Sequence, residues 1–90
     1  MLIKNWEFVF DSANTQELEL KENAVIETIL VDSTDNNFKV DTYLITPNNL
    51  EYPYYSYGMS NEVDLCLVLG TKIKFISNGI GKVMLLGRYF

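Results

Sequence analysis

The stretch that most constrains this chain is residues 70–90, GTKIKFISNGIGKVMLLGRYF. Two runs rich in Ile, Val, Leu and Phe flank Ser77-Asn78-Gly79-Ile80-Gly81. Small polar residues and glycine supply the backbone conformations of a tight turn, and β-branched side chains on either side suit the pleat. The pattern predicts a β-hairpin and sets an all-β class. Along the second run, Val83, Leu85, Gly87 and Tyr89 share one face, and Lys82, Met84, Leu86, Arg88 and Phe90 the other. Both faces carry large apolar groups. The strand is therefore expected either centrally between two layers or against a neighbouring subunit, with Met84, Leu86, Arg88 and Phe90 as the oligomer seam.

Upstream, the same period of two recurs. Trp6, Phe8 and Phe10 oppose Asn5, Glu7 and Val9, and Leu18 and Leu20 oppose Glu17 and Glu19. Residues 24–31 form a β-branched run interrupted by Glu27; Val25, Ile26, Thr28, Ile29 and Val31 favour strand over helix across residues 16–31. In residues 38–46, Phe38, Val40, Thr42 and Leu44 oppose Lys39, Asp41, Tyr43 and Ile45. Val63, Leu65, Leu67 and Leu69 share a further face. Polar turns separate these runs at residues 11–14, 21–23 and 32–37, and at Pro47-Asn48-Asn49. About eight short strands result. A small antiparallel β-sandwich of jelly-roll type is predicted, with a compact β-barrel as the alternative.

Ninety residues suit one domain, 1–90, and 48% hydrophobic with 21% charged residues marks a globular chain. The longest apolar run, residues 65–69, is far shorter than a membrane span, and no signal-peptide core follows Met1. One cysteine, Cys66, excludes an internal disulfide. Lying within an apolar run, it is expected to be a buried, inert thiol. These features suggest the cytoplasm of a host cell, or a virion, as the location.

The net charge of −5 argues against nucleic-acid binding. Its distribution is uneven: all twelve acids lie in residues 1–64, beside only Lys4, Lys21 and Lys39, whereas residues 65–90 hold four bases and no acid. Two readings follow. Either the C-terminal strands pair against the acidic ones and cancel the charge within the fold, or a bipolar surface docks head-to-tail or steers a basic partner.

Catalytic chemistry finds little support. With no histidine, Ser-His-Asp and Cys-His mechanisms and a conventional zinc site cannot be assembled. Gly79-Ile80-Gly81-Lys82 precedes a strand, so it lacks the helix N-terminus of a phosphate loop. Glu17 and Glu19 share a solvated strand face rather than flank a cleft. The chain is read as a non-enzyme that calls for no cofactor and no metal. The loop Asp32-Ser33-Thr34-Asp35-Asn36-Asn37 offers oxygens to a cation but lacks EF-hand spacing, so it is read first as a turn.

The strongest candidate for recognition is Glu51-Tyr52-Pro53-Tyr54-Tyr55-Ser56-Tyr57-Gly58. In a regular strand Tyr52 and Tyr54 share one side and Tyr55 and Tyr57 the other, more aromatic area than one face buries. Tyrosine offers large contact area with a polar tip, which suits a protein interface or, alternatively, a carbohydrate-stacking platform. Pro53 would blunt an exposed sheet edge.

The segments ENAVIETILVD, FKVDTYLITPNN and LVLGTKIKFISNGIGKVMLLGRYF, with the pattern G-x-K-I-x-F … G-x-G-x-V-x-x-x-G-R-Y, resemble small β-sandwich domains of bacteriophage virion accessory, head-fibre and tail-appendage proteins. That resemblance spans most of the chain and implies a structural or adsorption role in symmetric oligomers; it carries over no ligand-binding residue. The expected function is a non-catalytic interaction module, phage- or mobile-element-derived, in a small homo-oligomer with a protein partner. The alternatives are an acidic inhibitor or anti-defence protein that blocks a basic nucleic-acid-binding enzyme surface, and a carbohydrate-binding module using the tyrosines.

Overall fold

A computed structural model describes residues 2–11, 14–57 and 59–90, and gives the backbone alone for 2, 3 and 55–57. Its eight strands are β1 (Leu2–Phe10), β2 (Thr15–Glu19), β3 (Ala24–Asp32), β4 (Lys39–Ile45), β5 (Glu51–Tyr57), β6 (Asn61–Leu67), β7 (Lys72–Asn78) and β8 (Gly81–Tyr89). They form two four-stranded antiparallel sheets, ordered β1-β8-β3-β6 (sheet A) and β2-β7-β4-β5 (sheet B). This is the jelly-roll sandwich that the alternation predicts, and the barrel alternative is not adopted. Residues 16–31 contain two strands and no helix.

The arrangement is a rolled ribbon. The ribbon folds at Pro47-Asn48-Asn49, where β4 and β5 pair as a hairpin and Asn49 takes a left-handed φ of 67°. Outward from there β3 pairs with β6, β2 with β7 and β1 with β8. Rolling the ribbon adds the β3–β8 and β4–β7 ladders, which close each sheet.

One consequence corrects the hairpin expected at residues 77–81. The two strands and the turn between them are present, with Gly79 at φ 105°, but β7 and β8 lie in different sheets. Both of them are interior strands. β7 uses both edges on β2 and β4, and β8 uses both on β1 and β3, so neither has an edge left for the other. The turn is a corner between sheets. Asp35 holds it in place: its carboxylate accepts the Asn37 N–H at 2.9 Å and lies 3.4 Å from the Ile80 N–H. The Ser33 hydroxyl donates to the Ile80 carbonyl. The turn expected at residues 32–37 thus becomes a clasp across the corner, while Ser12 and Ala13, in the turn expected at 11–14, and Gly58 lie outside the described residues.

The core fills the space between the sheets. Phe10, Ile26, Ile29, Val83 and Leu85 from sheet A meet Val40, Ile73 and Phe75 from sheet B, all at 2% exposure or less. Rings interlock across the layers, Phe8 with Phe75 at 4.9 Å between centroids and Phe10 with Phe38 at 6.2 Å. Leu69 departs from the inward row predicted for it: β6 ends at Leu67, and Leu69 sits 60% exposed in the next turn. Cys66 is also exposed, against the expectation of burial. It is out of phase with the inward Leu65 and Leu67, so a continuous apolar run conceals an outward position.

Candidate interaction surfaces

The two outer faces of the sandwich differ in chemistry. On sheet B, Lys72 and Lys74 of β7 stand opposite Glu19 and Glu17 of β2. Lys74 also binds Glu51 at 2.6 Å and lies 5.0 Å from the centroid of the Tyr43 ring. Glu19 receives a hydrogen bond from Lys21; that bond, the Lys21 charge and the charge of Lys72 hold its carboxyl below the usual carboxylate range. Between β2 and β7 this face is a ladder of compensated charge, with Ile76, Tyr43 and Ile45 half-buried beside it.

The outer face of sheet A has an apolar centre. Met84, Leu86 and Arg88 follow one another along the outward row of β8, and Phe90 continues the row just beyond the strand, at 63% exposure. The structure therefore brings the predicted seam residues into one line. It also removes the first alternative offered for β8, a place between two layers. The strand is interior within its own sheet, with one face on the core and the other turned outward. On the flanking β3, Leu30 sits opposite Met84 and Thr28 opposite Leu86. Ion pairs bound the stripe: Arg88 to Glu27 at 2.7 Å and Lys82 to Glu7 at 3.7 Å. Arg88 is thus occupied at the rim rather than apolar filling. Leu30, 36% exposed, and Val9, 62% exposed on β1, also belong to the outer side. The first was missed because β3 carries a register shift between Ile26 and Thr28, which changes the phase of its alternation at Glu27.

The tyrosine strand β5 is the edge of sheet B, where Pro53 was expected to stand. Its predicted two-sided alternation does not hold. Register shifts between Thr42 and Tyr43, so Tyr43 faces Pro53 while Thr42 faces Tyr55, and Tyr54 is the extra residue of a bulge. Tyr54 packs partly buried against the core, and Tyr52 is 50% exposed. The side chains of Tyr55 and Tyr57 lie outside the described residues. Of the two rings described, Tyr52 is the more open.

A third surface lies at one end of the sandwich. The turns at residues 20–23 and 68–71 are joined there by hydrogen bonds, including Gly70 N–H to the Leu20 carbonyl at 2.8 Å and Leu69 N–H to Asn23 Oδ1 at 2.8 Å. Val68 and Leu69 are exposed on it, 59% and 60%. Among the described residues, no group of three or more His, Cys, Asp or Glu side chains could hold a metal ion.

No family model matches the chain, and no curated protein matches it. Among solved structures it is similar to the nucleoplasmin-like N-terminal domain of Drosophila FKBP39. The two are 19% identical, the alignment covers 98% of this chain and 89% of that one, and the TM-score is 0.63. At that identity the likeness establishes a shared fold. It carries the phage-domain resemblance as far as the small β-sandwich and gives no support to a virion association.

Proposed function

We propose that this chain is a non-catalytic interaction module that works as a homo-oligomer, with the outer face of sheet A as its contact surface. The observation that carries this is the contrast between the faces. Sheet B carries its charge pairs across its face, among the half-buried Tyr43, Ile45 and Ile76, whereas sheet A presents Met84, Leu86 and Leu30 at its centre with its ion pairs pushed to the rim. An apolar centre with a charged rim is the ordinary anatomy of a protein interface. The shared sandwich fold supplies the scaffold and no chemistry of its own.

Size-exclusion chromatography with light scattering at micromolar concentration tests the reading. The wild type should run above monomer mass, and Leu86→Glu should lower the association at unchanged circular dichroism. A strictly monomeric wild type refutes it. The acidic-inhibitor alternative differs in predicting a monomer that binds a basic protein one-to-one with strong salt dependence.

A further inference from the structure

The four sheet edges of the sandwich are not equally protected. β2 is only five residues long. β5 carries Pro53 and a bulge. β6 is irregular in its pairing and carries Glu62 and Asp64. Short edges, prolines, bulges and charges are the usual means of preventing strand addition. β1 carries the charges of Lys4 and Glu7 but is otherwise long and regular: nine consecutive residues pair with β8 from Leu2↔Tyr89 to Phe10↔Gly81, without proline, glycine or a register shift.

Which backbone groups face the open side of β1 follows from two hydrogen bonds. Phe90 N–H donates to the Asn23 carbonyl at 3.0 Å, so the even-numbered residues of β8 direct their backbone toward β3 and the odd-numbered ones toward β1. Their partners on β1 are even-numbered, namely Lys4, Trp6 and Phe8. Asn5, Glu7 and Val9 therefore direct N–H and C=O away from the sheet. The Val9 carbonyl confirms this polarity, because it accepts the Gln16 side-chain amide at 2.7 Å from the neighbouring edge strand β2. That contact caps one end of the edge and leaves Asn5 and Glu7 facing outward.

We infer that β1 pairs with β1 of a second copy, antiparallel about a two-fold axis at Trp6, and so joins two A sheets into one continuous sheet. This rests on the homo-oligomer reading and adds to the outer face of sheet A a second contact, at the sheet edge. The register follows from chemistry. A two-fold normal to the sheet keeps both cores on one side, so it must pass through a residue rather than between two. Centring on Glu7 would oppose Glu7 to Glu7 of the second copy, a like-charge pair. Centring on Trp6 opposes Asn5 to Glu7 in both directions. Each of these is a hydrogen-bonded pair exchanging two main-chain bonds, and the Asn5 amide lies beside a carboxylate. The outer apolar stripes of the two copies then lie on the same side of the joined sheet.

Two variants test the inference. Asn5→Pro removes an N–H that faces the open edge and no bond to β8, so it should preserve the fold and reduce the dimer fraction at least tenfold in light scattering. In a Cys66→Ser background, Asn5→Cys with Glu7→Cys should form an inter-chain disulfide under mild oxidation, since opposed hydrogen-bonded residues sit about 5.5 Å apart between Cα atoms. If the wild type oligomerises while Asn5→Pro associates equally well and the double cysteine variant gives no covalent dimer, the edge pairing is wrong and the homo-oligomer reading survives. A wild type monomeric at all concentrations overturns both.

Discussion

Replacing Gly87 by alanine tests the packing of sheet A at its tightest point. Gly87 lies in the interior strand β8, opposite Lys4 on β1 and Ile26 on β3. A Cβ added there would lie 2.1 Å from the Val25 carbonyl oxygen and 3.1 Å from Ile26 Cα. Ordinary contact begins at 3.4 Å, so β3 would have to withdraw by roughly 1 Å from a ladder whose strands are spaced about 4.8 Å apart. No side chain can rotate away, because the obstacle is backbone. The shift weakens about two ladder hydrogen bonds at about 1 kcal/mol each. Local overpacking adds about 1–3 kcal/mol. The expected loss is thus about 3–5 kcal/mol, a large share of the roughly 5–13 kcal/mol stability of a 90-residue domain. In temperature it corresponds to a fall in Tm of about 12–30 °C. Urea titration followed by Trp6 fluorescence and far-ultraviolet dichroism measures it. Gly81→Ala is the internal comparison: the nearest atoms to its Cβ belong to the Phe38 ring, at 2.8 Å, and that ring can tilt. A Gly87→Ala variant within about 0.5 kcal/mol of wild type, the spread of ordinary surface changes, would refute the close β3–β8 approach.

Three further outcomes follow from single residues. Thr42 is 3% exposed on the inward row of β4 with a hydroxyl that has no partner, so Thr42→Val should raise stability by about 1 kcal/mol in the same titration. Cys66 should react stoichiometrically with a thiol reagent in the native protein, without the lag that global unfolding imposes; modification only after denaturant is added would contradict its outward placement. The Glu19 carboxyl is held down in the folded state, so its contribution to stability is present above the unfolded-state pKa and is lost as pH falls through the folded value. Lys21→Met should raise the Glu19 midpoint in an NMR titration, and an unmoved midpoint would show that the Lys21 hydrogen bond does not set it.

Much of the architecture was legible because alternation reports which face of a strand a residue occupies. It placed Trp6, Phe8 and Phe10 inward, Leu18 and Leu20 inward, and Val40, Thr42 and Leu44 opposite Lys39, Asp41 and Tyr43, as observed. What alternation does not report is which strand lies alongside. A turn such as Ser77-Asn78-Gly79-Ile80-Gly81 serves equally in a hairpin and in a corner between sheets, and only the demand of β7 and β8 for two neighbours each decides between them. The two register shifts were equally hidden. One extra residue at Tyr54 or Glu27 costs no apolar residue and leaves no composition signal, yet it reverses the phase of everything beyond it. That reversal is why the alternation expected along β5 fails while that of β8, a strand without an internal shift against β1, holds.

The charge asymmetry of the chain has its explanation in the same ribbon. Leu2 pairs with Tyr89, Glu19 with Lys72 and Ala24 with Leu67, and the two numbers of each pair add to 91. The acidic first half is therefore laid against the basic last strands residue by residue. Lys72 and Lys74 meet acids of β2, Lys82 meets Glu7 of β1, and Arg88 meets Glu27 of β3. Of the two readings of the uneven charge, cancellation within the fold accounts for all four C-terminal bases without a partner. A bipolar surface would have needed them gathered at one end. Each surface pair contributes little to stability, but a slip of one residue would turn the acids and bases to opposite faces while also exposing the core row. Opposite charges on adjacent strands thus reinforce the register that the apolar alternation already selects. With the charges spent laterally, the centre of sheet A retains only Met84, Leu86, Leu30 and Thr28 on its outer side. The surface proposed for association is what remains once the four C-terminal bases are paired within the fold, the chain as a whole keeping its net charge of −5.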